Sequence, residues 1–111
     1  MYKILKYSAP FKEISKVVMP KDAKIIRVDS DGGIKIWAIC NTSQDWPEEE
    51  RTFHLFKTGG EMPDDILDYD YIGCGAIFIQ MELMMYLFEK KGTAIPATPQ
   101  SQINWKDFQD K

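Results

Sequence analysis

The stretch Lys24–Cys40, "KIIRVDSDGGIKIWAIC", decides the fold. Two β-branched runs, Lys24–Asp29 and Ile34–Cys40, flank Ser30-Asp31-Gly32-Gly33. β-branched side chains suit a pleated surface. Asp-Gly and Gly-Gly accept the positive φ that tight turns need. The segment therefore predicts an antiparallel hairpin. In its second run, alternation puts Ile34, Ile36, Ala38 and Cys40 on one face, and Lys35, Trp37 and Ile39 on the other.

Outward from this hairpin the runs are short and densely punctuated. Tyr2–Ser8 reads as a strand stopped by Ala9-Pro10, and Glu13–Met19 as a strand stopped by Pro20. Arg51–Lys57 alternates, with Phe53 and Leu55 on one face and Thr52, His54 and Phe56 on the other. Together with the hairpin residues Ile34, Ile36, Ala38 and Cys40, Phe53 and Leu55 are the expected core. Tyr69–Ile79 reads as a further strand with Gly73 and Gly75 on one face. Paired glycines in a strand imply a bulge, a bend or a close approach by another backbone. Met81–Lys90 is ambiguous: Met, Leu and Glu favour helix, while Met81, Leu83, Met85 and Leu87 alternate as in a strand. Asn41–Glu50 and Thr58–Asp70 contain the polar loops. After Lys90 the chain turns to a Pro/Thr/Gln-rich composition with Trp105 and Phe108 beyond it.

These runs predict a mainly β fold, a small antiparallel β-sandwich or partly open β-barrel of about seven strands. Residues 1–89 form the expected core domain, and 90–111 a C-terminal extension, irregular or helical. The 111 residues suit one domain.

Composition excludes some functions. Seventeen acidic residues against 14 basic ones give a net charge of −3, and only Arg27 and Arg51 are arginines. A general phosphate-binding surface is disfavoured, so nucleic acid is not the expected partner, although a local basic patch stays open. Two cysteines, Cys40 and Cys74, make neither a disulfide framework nor a four-thiolate zinc site. The N-terminal segment has no long apolar run, and Ile77–Phe88 is too short and too interrupted by Gln80 and Glu82 to span a bilayer. A cytoplasmic setting without membrane attachment is the expectation.

The only histidine, His54, lies between Phe53 and Leu55, the company of a structural residue; a catalytic base needs a nucleophile and an orienting group nearby. Asp64, Asp65, Asp68 and Asp70 lack the alternating ligands, central glycine and bidentate Glu of a calcium loop. Thr58-Gly59-Gly60 lacks the Gly-Lys-Ser/Thr ending of a phosphate cradle. Cys74 has no basic neighbour to activate it. No catalytic residue, metal or cofactor is expected. The expected partner-binding residues are Trp46, Glu48, Glu49, Glu50, Met62, Asp64 and Asp65, acidic and stranded apolar groups on loops. Trp46 has a second reading, in which it folds back to cap a core edge.

The order of motifs resembles a family of short uncharacterised bacteriophage and prophage proteins. The resemblance rests on Pro20, Ala23, Lys24 and Ile25, on Trp37-Ala38, on Arg51 and Phe53 running into Thr58-Gly59, on Pro63-Asp64, and on Tyr71-Ile72-Gly73. It covers residues 1 to about 89. Two departures stand out: Gly60 occupies a position where the family often has His, and Ile79–Met85 is poorer in glycine. The resemblance implies a β-rich fold, a closing strand through Tyr86–Lys90, and a phage accessory role in the host cytoplasm. Proteins of that class often bind and block host proteins, including anti-phage defence proteins. The expected function is therefore non-enzymatic binding of a host protein. The alternative is a small-ligand or nucleotide-binding module using loops 41–50 and 58–70. A hydrolase built on His54 is a third and weaker reading.

Overall fold

A computed structural model describes residues 1–78, 81–90 and 92–97. The strands are β1 (Tyr2–Ala9), β2 (Ile14–Pro20), β3 (Lys24–Asp29), β4 (Ile34–Asn41), β5 (Glu48–Lys57), β6 (Tyr69–Phe78), β7 (Glu82–Lys90) and β8 (Ile95–Ala97). One 3-10 turn, Ile66–Asp68, precedes β6. The strands form two antiparallel sheets. The first has the order β1-β4-β3; the second has β2-β5-β7-β6, with β8 also on β5.

The predicted hairpin is β3–β4, with Asp29 opposite Lys35 and positive φ at Gly32 and Gly33. Ile34, Ile36, Ala38, Cys40, Phe53 and Leu55 are all buried, as the alternation requires. Met19, Val17 and Leu87 complete the centre of the core. Full burial of side chains of this size contributes roughly 1.5–3 kcal/mol each.

The two sheets meet at both flanks. Short Pro10–Glu13 keeps β1 beside β2, and β3 approaches β6. The paired glycines make the second approach possible. A Cβ on Gly73 would lie 2.7 Å from Val28 Cγ2, and one on Gly75 would lie 2.7 Å from Ser30 Oγ. Ser30 Oγ donates to the Ala76 carbonyl across this seam. The result is a β-sandwich whose two sheets approach at the flanks like a flattened, partly open barrel.

Met81–Lys90, open between helix and strand with the family resemblance favouring a strand, supplies strand β7, and its alternate residues Leu87 and Glu89 point into the interior. Two boundaries differ from expectation. Glu48–Glu50 belong to strand β5 rather than to a loop: Val18–Pro20 pair with them on one side and β8 on the other. Pro20 and Pro96 fit there because β2 and β8 are edge strands, where a missing donor faces outward. β8 itself carries the sheet past residue 89 into the expected extension. Ile79, Trp105 and Phe108 lie outside the described residues.

Candidate recognition face

Because β5 and β6 both run antiparallel to β7, they are parallel to each other. Residues 58–68 must therefore return along the sheet before β6 can start. The return runs along its outer face: Gly60, Glu61 and Pro63 line a cavity with Ile14, His54 and Phe56. Asp65 holds the crossover down through a 3.2 Å ion pair with Lys90. The Tyr69 ring meets His54 edge-on at 5.2 Å.

Register places one row across all four main strands of this sheet. Ile14 pairs with His54, His54 with Phe88, and Phe88 with Tyr71. All four lie on the face opposite Phe53 and Leu55. Adjacent strands sit about 4.8 Å apart, so the row spans roughly 14 Å. Phe56 and Tyr86 form the next row. Rings interlock edge-to-face along it, Phe56–Phe88 at 5.8 Å and Tyr71–Phe88 at 5.4 Å. The ends of the row are open to solvent, with Ile14 54% and Tyr71 56% exposed. A hydrogen bond with Cys74 is the main influence holding the Tyr71 phenol up at about 12.

His54 sits in the middle of this face. Burial pushes its imidazole below the ordinary value, nearby Lys90 pushes it further down, and Asp65 opposes both. Its ring contacts are Phe56 and Tyr69, which is the setting of a packed ring.

The expected partner residues lie on three elements, the 42–47 loop, strand β5 and the crossover. Trp46 is 37% exposed, but its Nε1 donates to the Lys21 carbonyl at 2.8 Å, pinning the 42–47 loop to the β2–β3 turn. Trp46 is thus turned back onto the β2–β3 turn while one part of its ring stays exposed. Glu49 accepts the Asp22 backbone N–H, and Glu50 faces Lys16 at 4.0 Å. Met62, Asp64 and Asp65 belong to the crossover, which starts at the far end of β5 and returns, so that Asp65 pairs with Lys90 at the end of β7 that lies beside Phe53.

Two residues the sequence reading left aside form a second polar centre. Arg51 and Glu89 point into the barrel and make a bidentate pair, Nε–Oε2 at 2.8 Å and Nη2–Oε1 at 2.6 Å. Arg51 Nη1 also donates to the Ala23 carbonyl at 2.7 Å. The hydrogen bond to Glu89 raises the guanidinium's proton affinity against the opposing effect of burial. A cavity of about 460 Å³ opens beside this pair, lined also by Asp22, Glu49 and Asp70. Among the described residues, no three His, Cys, Asp or Glu side chains converge as a metal site would need.

Fold and face together define a small domain of two facing antiparallel sheets, one of which exposes the ends of an aromatic row. The chain belongs to the family described as a domain of unknown function, DUF7352, which matches residues 1–97. That match ends where β8 ends. No curated protein and no solved structure matched the chain. Among the described residues, no helix is long and apolar enough to cross a membrane.

Proposed function

We propose that this protein is a bacteriophage accessory protein that binds a host protein without catalysing a reaction. The observation that supports the binding role is the row Ile14–His54–Phe88–Tyr71, a contiguous apolar and aromatic strip on a rigid sheet whose two ends, Ile14 and Tyr71, are open to solvent. Exposed aromatic patches rimmed by polar residues mark interaction surfaces, and aromatic anchors carry a large share of interface energy. Glu13, Lys57 and Glu61 border it, so the complementary partner carries an apolar patch edged by polar groups of both signs. The phage setting rests on the motif resemblance alone, and so does antagonism of a host or anti-phage defence protein in the host cytoplasm.

The test is a pull-down from host lysate read by mass spectrometry, run with the parent and with Ile14→Lys/Tyr71→Lys. Both positions are exposed, so the domain stays folded. A host protein retained by the parent and lost by the variant supports the reading. Equal recovery by both contradicts it.

A second reading has its own observation. The cavity between the crossover and the sheet measures about 650 Å³, which is the size range of small-ligand pockets. It favours a ligand held against His54 and Tyr69. Ligand binding there would order the crossover without involving Tyr71.

A further inference from the structure

The outer face of the three-stranded sheet differs in chemistry from the rest of this acidic chain. Register again sets the rows. Lys6 pairs with Trp37, and Trp37 with Arg27, so one row reads cation–indole–cation across β1, β4 and β3. The row on one side is Ser8–Lys35–Asp29, and the row on the other is Ile4–Ile39–Lys24. Beyond the latter, Tyr2 pairs with Asn41. The face thus carries Lys6, Lys24, Arg27 and Lys35 against one carboxylate, Asp29, although the chain as a whole is at −3. Asp29 is met by Arg27 at 3.2 Å, and Lys35 Nζ donates to Ser8 Oγ at 3.2 Å. The Arg27 guanidinium lies 4.9 Å from the centre of the Trp37 ring and the Lys6 ammonium 5.9 Å. Tyr2 is 66% exposed and Ile4 59% exposed, and Trp37 is half-buried between its two cations.

We infer that this face binds single-stranded nucleic acid. Charge complementarity selects an anionic ligand, and the placement of Trp37 selects one with flat π-faces between its charges. Single strands are held by cations that track the phosphates and by aromatic side chains on which bases stack. The cation-bearing rows are two residues apart along the strands, roughly 7 Å, a spacing that an extended strand of phosphates can follow. A base takes the face of Trp37, and Arg27 and Lys6 leave the ring for the phosphates on either side. Tyr2 offers a second platform four residues along β1 from Lys6. An acidic protein would use the same cations but would have no need of the central indole. The inference is independent of what the aromatic row on the opposite sheet binds.

The test is fluorescence anisotropy with four probes: a fluorescein-labelled 12-nucleotide oligo(dT), the same length of oligo(U), a 12-base-pair duplex, and labelled poly-glutamate as an anion without bases. Binding is measured at 50 and 200 mM salt. The parent should bind either single strand more tightly than duplex or poly-glutamate, and more weakly at the higher salt. Trp37→Leu should weaken single-strand binding by about 5- to 100-fold. Lys24→Glu/Lys35→Glu, at an exposed and a half-buried position, should weaken it and flatten the salt dependence. Circular dichroism confirms that each variant keeps its β signature. No single-strand binding at 50 mM salt overturns the inference. So does poly-glutamate binding as tightly as oligo(dT), which would assign the face to an acidic protein. So does binding that Trp37→Leu and the charge reversal both leave unchanged.

Discussion

Arg51 and Glu89 form a bidentate ion pair inside the barrel, with side chains only 12% and 10% exposed. Taking two charges out of water is costly, and only close geometry with further hydrogen bonds offsets it. Both conditions hold here, through the paired N–H···O bonds and the Ala23 carbonyl. The pair also ties β5, β7 and the β2–β3 turn together at one end of the barrel.

Removing one partner leaves the other as an uncompensated buried charge. Glu89→Ala and Arg51→Ala should each cost about 3–5 kcal/mol in urea unfolding. The double variant Arg51→Met/Glu89→Leu should lose less than the sum of the two single losses. Additive losses would mean that the two groups act separately.

The seam between β3 and β6 depends on the missing Cβ of Gly73. Gly73→Ala should destabilise by about 1–3 kcal/mol, since the new methyl meets the Val28 side chain. Val28→Ala should recover part of that loss by vacating the space. A thermal melt of the two single variants and the double variant checks this. Losses that simply add would place the clash elsewhere.

His54 gives the fold a pH dependence with a fixed sign. Burial lowers its folded-state affinity for a proton below the ordinary 6.5. The unfolded chain therefore takes up a proton first, and stability falls as pH drops through 6.5 toward the lower folded value. Above that window the neutral ring contributes its full packing. Because the chain has one histidine, an NMR titration of its Cε1–H reads the folded value directly. A midpoint above 6.5 would contradict the burial argument. His54→Phe should flatten the pH dependence between 5 and 7.

Leu55 reports on the core. It is 8% exposed beside Phe53 and Leu87. Leu55→Ala should cost about 2–5 kcal/mol. A loss below about 0.5 kcal/mol, the range of surface substitutions, would place it outside.

Much of this fold was legible in the sequence. Ile34–Cys40 and Phe53–Leu55 carry a period of two strong enough to name the buried face, and Asp31-Gly32-Gly33 names the turn. The interior ion pair also had a signal. Arg51 shares the alternation phase of Phe53 and Leu55, and Glu89 that of Leu87, so opposite charges stood on core-facing positions. Glu48–Glu50 misled because a run of carboxylates reads as solvated loop, whereas backbone pairing with β2 and β8 is indifferent to side-chain charge. Neither outer face was legible. Ile14, His54, Phe88 and Tyr71 are scattered over 75 residues, and so are Lys6, Arg27 and Trp37 over 32; only strand order and register bring them into rows. Net charge hid the basic face by averaging it with the acidic remainder.

The most direct test of the binding account is surface plasmon resonance of the recovered host protein on three immobilised chains: the parent, Tyr71→Ala, and Glu48→Lys/Glu49→Lys/Glu50→Lys. Tyr71 anchors one end of the aromatic row, whereas the three glutamates lie on the β8-bearing end of β5. The account predicts that Tyr71→Ala weakens binding by about tenfold or more, the loss of at least 1.4 kcal/mol expected of an aromatic anchor. It also predicts that the glutamate variant changes affinity little. Parent-like affinity in Tyr71→Ala, with binding lost in the glutamate variant, would contradict it and move the contact to the Trp46 end of the barrel.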